Sequence, residues 1–255
     1  YRGEPVAALR EAAAAGDPLA ACRLGDAQER GAGGLARSPS AAARSFQVGA
    51  DAGIPFAQYR LAQLIGRGAA PGGRGRAMEL MRTAAEGGAA QAQYALGLAA
   101  LNGRGVARDP AAAAHWLGLA AENGVPEAQY ALARLLFSGA GVPREPFAAV
   151  RWMRQAAQNG YLPAQKATGR LFMTGLEEMG ADLNEAQTWL SAAAARGDTE
   201  ARRWLREVEQ ARAAEAAQRT ALEQQLALQA EQTRSLWYGM LWWNSLAAPL
   251  FFYGW

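Results

Sequence analysis

The sequence predicts an all-α protein. Residues 1–205 read as a right-handed α-solenoid of stacked helical hairpins, 206–235 as a long polar helix and 236–255 as an aromatic, apolar tail. Three observations carry this. A glycine returns every 35 to 37 residues, at Gly16, Gly53, Gly88, Gly124, Gly160 and Gly197. Fixed positions follow it: Ala20, Ala57, Ala92, Ala128, Ala164 and Ala201 four residues later, and Leu24, Leu61, Leu96, Leu132, Thr168 and Leu205 eight later. After Leu205 the period stops and no glycine or proline interrupts the chain until Gly239. A regular period of this length marks an array of one supersecondary unit.

The elements follow in order. Pro5 to Gly16 reads as the second helix of a repeat whose first helix is missing, which leaves open a natural cap or removed upstream residues, including a cleaved export signal. Each later period holds two helices, shown best between Gly124 and Gly160. Ala128, Leu132, Leu135 and Leu136 recur at helical spacing. Ser138-Gly139-Ala140-Gly141 stops that helix, since glycine accepts the left-handed helix end at least cost. Pro146 suits a first helical turn, and a second helix runs from about Phe147 to Asn159 with Ala149, Trp152, Met153 and Ala156 on one face. Helices of about 12 residues are marginal alone, so stability must come from stacking. The fixed alanines then allow close approach, and Trp116, Trp152 and Trp189 are expected as the large fillers opposite them.

The recurring residues carry a family resemblance. Ala84-Ala85, Gly88, Ala92, Tyr94, Leu96 and Gly97, then Gly103-Arg104-Gly105-Val106, then Ala113 and Trp116, resemble a Sel-one-like repeat, a relative of the tetratricopeptide repeat. Gly124, Ala128, Tyr130, Leu132, Gly139-Ala140-Gly141-Val142, Ala149 and Trp152 repeat the pattern, and the resemblance covers about residues 5–205 as a half repeat and about five repeats. The loop from Gly66 to Gly75 lacks the valine, and Lys166 and Thr168 replace tyrosine and leucine in the copy after Gly160, implying looser packing there. A single cysteine, Cys22, excludes the disulfide-stapled branch of the family. The resemblance implies adaptors that hold other proteins in assemblies, often at the cell envelope or on membrane complexes, and no enzymatic activity.

Composition adds bounds. The formal net charge is +3, and Lys166 is the only lysine; that skew reads as coding bias of a GC-rich bacterium. No basic cluster with stacking aromatics occurs in the repeats, so no nucleic-acid partner is expected. Candidate chemistry is sparse. His115 lacks converging partners for a metal or acid–base role. Glu177-Glu178 reads as a solvated turn, and Cys22 as a small buried side chain. The glycines from Gly66 to Gly75 read as an inter-helix turn with no phosphate-binding motif, with Arg67, Arg74, Arg76 and Arg82 as a local anion patch at most. Gln58, Gln93, Gln129 and Gln165 recur five residues after the glycine, which favours a role in the fold over a binding ladder. No catalytic residue, metal, cofactor or small-molecule substrate is assigned.

In the polar helix, Glu207, Arg212, Glu215 and Arg219 are spaced for ion pairs, while Val208, Leu222, Leu226 and Leu228 are too sparse for a coiled coil. Leu236 to Trp255 carries no charge. Its aromatics, Trp237, Tyr238, Trp242, Trp243, Phe251, Phe252, Tyr253 and Trp255, are the candidate site. Three readings remain: contact with a membrane or an integral membrane subunit, docking into a protein groove, or folding back on the solenoid. Pro249 and Asn244-Ser245 stand against a simple span. The leading expectation is a non-enzymatic scaffold of a bacterial envelope complex, attached through the tail. A soluble regulatory binder with an internally packed tail is the alternative, and an enzyme a distant third.

Overall fold

The structure, a computed structural model, describes residues 5–176 and 180–247, with side chains through residue 242. The described residues form α-helices: α1 (Val6–Ala14), α2 (Pro18–Arg30), α3 (Pro39–Asp51), α4 (Pro55–Gly66), α5 (Gly73–Glu86), α6 (Ala90–Asn102), α7 (Pro110–Glu122), α8 (Pro126–Ser138), α9 (Pro146–Gln158), α10 (Leu162–Thr174), α11 (Leu183–Ala195) and α12 (Thr199–Ala247). The expected class, stacked helical hairpins with a long last helix, is what the structure shows. Contacts divide the chain into two compact units, Tyr1–Thr168 and Gly169–Trp255.

In the first unit the main packings join chain neighbours from α1 through α9. Stability of this kind sums over repeats and their interfaces. Helix ends are written in the sequence. Asp17, Ser38 and Asp109 accept hydrogen bonds from the first-turn N–H groups of α2, α3 and α7, and prolines open α2, α3, α4, α7, α8 and α9. The periodic glycine is required by conformation: Gly124 has φ +79 and nothing near where a Cβ would stand. There the N–H groups of Gly124 and Val125 donate to Ala121 O and Ala120 O, closing the helix end.

The fixed alanines lie at the interfaces. Ala57, Ala92, Ala128 and Ala164 are fully buried. A Cβ on Gly49 of α3 would stand 2.7 Å from the Ala57 Cβ and 2.3 Å from the Cys22 Sγ. Cys22 therefore fills the space that Gly49 leaves open. Burial raises its thiol pKa, with the charge of Asp17 adding to the effect and a backbone hydrogen bond opposing it.

The large fillers differ from expectation. Trp116 and Trp152 are only half-buried, and the next residues, Leu117 and Met153, occupy the core with Phe46. The tryptophans sit one helical step off the line that points inward. Phe46 and Leu117 each have a glycine facing them: a Cβ on Gly25 would stand 3.1 Å from the Phe46 ring, and one on Gly97 would stand 2.8 Å from Leu117 Cγ.

The recurring glutamines serve the fold. Gln93, Gln129 and Gln165 are buried, and each donates from Nε2 at 3.1 Å to a carbonyl eight residues earlier: Ala85, Ala121 and Ala157. These carbonyls end the preceding helix, where each also accepts from the N–H of the periodic glycine, Gly88, Gly124 or Gly160. Asn123 and Asn159 then donate to the Oε1 of Gln93 and Gln129 at 3.1 and 3.0 Å. One helix end, the next repeat and the turn after it are thereby stitched together. The last copy is weaker, because Gln165 Oε1 and Thr168 Oγ1 are buried without hydrogen-bond partners.

In the second unit α11 packs on α12. Asp182 caps α11. A Cβ on Gly169 would stand 2.6 Å from the Cγ of buried Leu190, while Trp189 beside it is half-buried. Ala201, Trp204 and Val208 are the buried residues of α12, with Leu205 only half-buried. Glu207 pairs with Arg203 at 3.3 Å. Beyond Ala211 every side chain through Trp242 is exposed. At 1.5 Å per residue this arm is about 45 Å long.

Candidate interaction surfaces

The expected site residues sit on the last turns of that arm. Trp237, Tyr238 and Trp242 are 65%, 61% and 70% exposed. Trp243 lies within α12, and its side chain falls outside the described residues, as do Phe251, Phe252, Tyr253 and Trp255. Leu236, Met240 and Leu241 are exposed beside them. At 100° per residue these six side chains spread over about 240° of the helix, leaving a sector that holds Gly239. Through Ala247 the segment continues α12 and does not turn back. Among the described residues no helix is long and apolar enough to cross a membrane.

A second surface, which sequence reading missed, lies in the first unit. α4 and the turn between α5 and α6 enclose an open cleft of about 640 Å³. Pro55 and Phe56 supply its apolar wall, with Phe56 47% exposed. Arg60 carries a half-buried charge network: its guanidinium is 2.6 Å from Glu29 and 3.9 Å from Asp26, and lies 5.7 and 5.9 Å from the ring centres of Phe46 and Phe56. Its Nε is buried with no hydrogen-bond partner. Arg67 stands at the rim, 63% exposed and 3.5 Å from Glu29. Tyr59 accepts a hydrogen bond from Gln63 at 2.7 Å, and burial raises its hydroxyl pKa against the opposing charges of Arg60 and Arg67.

The cleft exists because the repeat departs from its own pattern. Between α7 and α8 the turn holds Asn123, Val125 and Pro126; between α9 and α10 it holds Asn159, Tyr161 and Leu162. The equivalent positions before α6 are Gly87, Ala89 and Ala90. At Gly87 the room is taken by Pro55, whose Cγ lies 2.7 Å from where a Cβ would stand, while Ala89 and Ala90 are smaller than Val125 and Pro126. The N-terminus of α6, uncapped by a side chain like those of α4 and α8, also lacks the proline they carry at the first position. The signal was present in the sequence as three small residues at register positions where the two following copies carry larger ones.

Further along the first unit, Tyr94, Tyr130 and Tyr161 are half-buried, with the Tyr130 and Tyr161 rings 5.6 Å apart. Burial first, then the neighbouring tyrosine and the charge of Glu127, raises the hydroxyl pKa of Tyr94. The remaining candidates do not converge. His115 is exposed against Trp116. Arg67 pairs with Glu29 while Arg76 donates to Gln47 at 2.7 Å, so the expected arginine patch is split between partners. Glu177 and Glu178 fall outside the described residues. Among the described residues no group of three or more His, Cys, Asp or Glu could hold a metal ion.

The Sel1 repeat profile matches residues 18–53, 55–88, 90–125, 126–161 and 162–198. The chain belongs to the Sel1 repeat family. A Sel1 repeat protein from Oxalobacter formigenes is 25% identical over 77% of this chain and 86% of that one, with a TM-score of 0.67. Two further structures share the fold alone. One is c5321, a protective antigen of uropathogenic Escherichia coli strains with an SLR fold (24% identity, 78% of this chain and 50% of that one, TM-score 0.55). The other is the immunity protein Pa5087 of Pseudomonas aeruginosa (20% identity, 74% and 72%, TM-score 0.50). No curated protein matches. Sel1 repeats are a protein-interaction type, so protein partners are the expectation the family supports for this chain.

Proposed function

We propose that this Sel1 repeat protein is a non-enzymatic scaffold of a bacterial envelope complex, binding protein through its repeats and attached to a membrane surface by the aromatic end of α12. The observation that carries the attachment is the band of Leu236, Trp237, Tyr238, Met240, Leu241 and Trp242, exposed over about two thirds of the helix circumference with no charge after Arg234. A protein groove covers one face of a helix, whereas an apolar band this wide calls for an apolar medium on more than one side. Tryptophan and tyrosine favour the headgroup region, where an apolar ring and a polar tip are both satisfied. Two attachments in one chain raise the effective concentration of each for the other's neighbourhood without tight individual contacts.

The test is flotation with lipid vesicles of anionic and zwitterionic composition, comparing the full chain with a chain ended after Arg234. The full chain should float and the shortened one should not. A full chain that stays monodisperse in the soluble fraction without detergent would remove the membrane reading. A copurifying protein lost on shortening, with solubility unchanged, would transfer the attachment to a protein subunit.

A further inference from the structure

Recognition in a repeat array is expected where copies differ, since positions shared by every copy are used by the fold. The α4 cleft is such a place. Its floor is a turn reduced to Gly87, Ala89 and Ala90, and its walls carry an exposed aromatic ring and two arginines. Exposed aromatic and arginine side chains dominate interface energetics.

We propose that the cleft receives an extended peptide segment of a partner protein in which an apolar side chain is followed by a carboxylate. The proposal deepens the scaffold reading and rests on it. The apolar side chain lies against Pro55 and Phe56, beside Ala89 and Ala90, where the next copy carries the larger Val125 and Pro126. The carboxylate faces Arg67, whose present ion pair with Glu29 is long and exposed at its own end. A planar guanidinium fork suits a carboxylate. The uncapped first turn of α6 adds a favourable field for negative charge. The charged residues that line the cleft, Arg60 and Arg67, are both positive, with the carboxylates of Glu29 and Asp26 set behind them outside the lining. That small positive excess matches a single acidic group. The same two carboxylates disfavour a nucleic-acid backbone with its repeated phosphates.

The test begins with selection of a random peptide library on the full chain, followed by fluorescence anisotropy of the enriched peptides. The key variant is Ala89→Val with Ala90→Pro, which restores the residues of the α7–α8 turn. The backbone already accepts them: Ala89 has φ −67 and ψ 102, close to Val125 at φ −74 and ψ 111. This variant should keep or raise the melting temperature, so lost binding is not lost folding. We expect enriched peptides to pair Asp, Glu or a terminal carboxylate with Leu, Met or an aromatic residue. The refilled variant should bind them at least tenfold more weakly. Arg67→Glu should weaken binding, and replacing the peptide's acid by lysine should recover part of it. Peptides that bind the refilled variant equally well, or that lack an acidic residue, would overturn the site and leave the scaffold reading standing. Failure to enrich any peptide would count against the repeats as a binding surface altogether.

Discussion

Gly97→Ala tests whether close packing between the two helices of a hairpin sets residue size. Gly97 lies in the interior of α6, where alanine would gain about 0.8–1 kcal/mol of helix propensity. Against that gain, the new Cβ would stand 2.8 Å from Leu117 Cγ, 3.0 Å from Cδ2 and 3.2 Å from the Leu117 backbone nitrogen. Leu117 is fully buried, and its backbone cannot rotate out of the way. Overpacking typically costs about 1–3 kcal/mol, and the backbone contact places this site in the upper half. The expected net loss is about 1–2 kcal/mol. Gly118→Ala, in the interior of α7 with nothing within 4 Å of its Cβ, gains the propensity without the clash and should stabilise by up to about 1 kcal/mol. Urea midpoints and melting temperatures measured on both variants should therefore move in opposite directions, by about 2–4 °C per kcal/mol for a chain of this size. The copies carrying alanine at this position, Ala62 and Ala133, have methionine at the facing one, Met81 and Met153. Leu117→Met should accordingly recover part of the Gly97→Ala loss, methionine being the more adaptable filler. Equal and same-signed shifts for Gly97→Ala and Gly118→Ala would refute the packing argument.

Three other outcomes are expected. Thr168→Val removes a buried hydroxyl that has no partner while keeping the shape, and should stabilise by about 1 kcal/mol in urea unfolding. Gln129→Leu removes the donor to Ala121 O and the acceptor for Asn159, and should cost about 1–3 kcal/mol by the same measurement, with the loss reduced when Asn159→Ala is already present. Cys22 has a raised pKa in the folded chain, so the unfolded thiol ionises first. Its contribution to stability is full below about pH 8.5 and declines as pH rises toward the folded pKa. Cys22→Ser should flatten that part of the stability–pH curve, and iodoacetamide should label the native thiol far more slowly than the unfolded one.

The sequence by itself determined the helices, their ends and their stacking order. These depend on local signals that recur with the period: glycine at a left-handed turn, proline and Asp or Ser at helix starts, alanine where two helices meet. It also marked the uncharged run after Arg234, because charge is read without knowing the fold. Tertiary structure decided what depends on direction and on neighbours. A side chain one position along a helix turns by 100°, so Leu117 and Met153 took the core while Trp116 and Trp152 stayed half-buried. The glutamine ladder was legible as a pattern, but only the stacked helix ends supplied the carbonyls it holds. The cleft needed both kinds of information. Its small residues are visible in the chain, while the ring and arginines that give it chemistry arrive from α4, some 30 residues earlier in sequence, because the turn after α5 folds back over that helix.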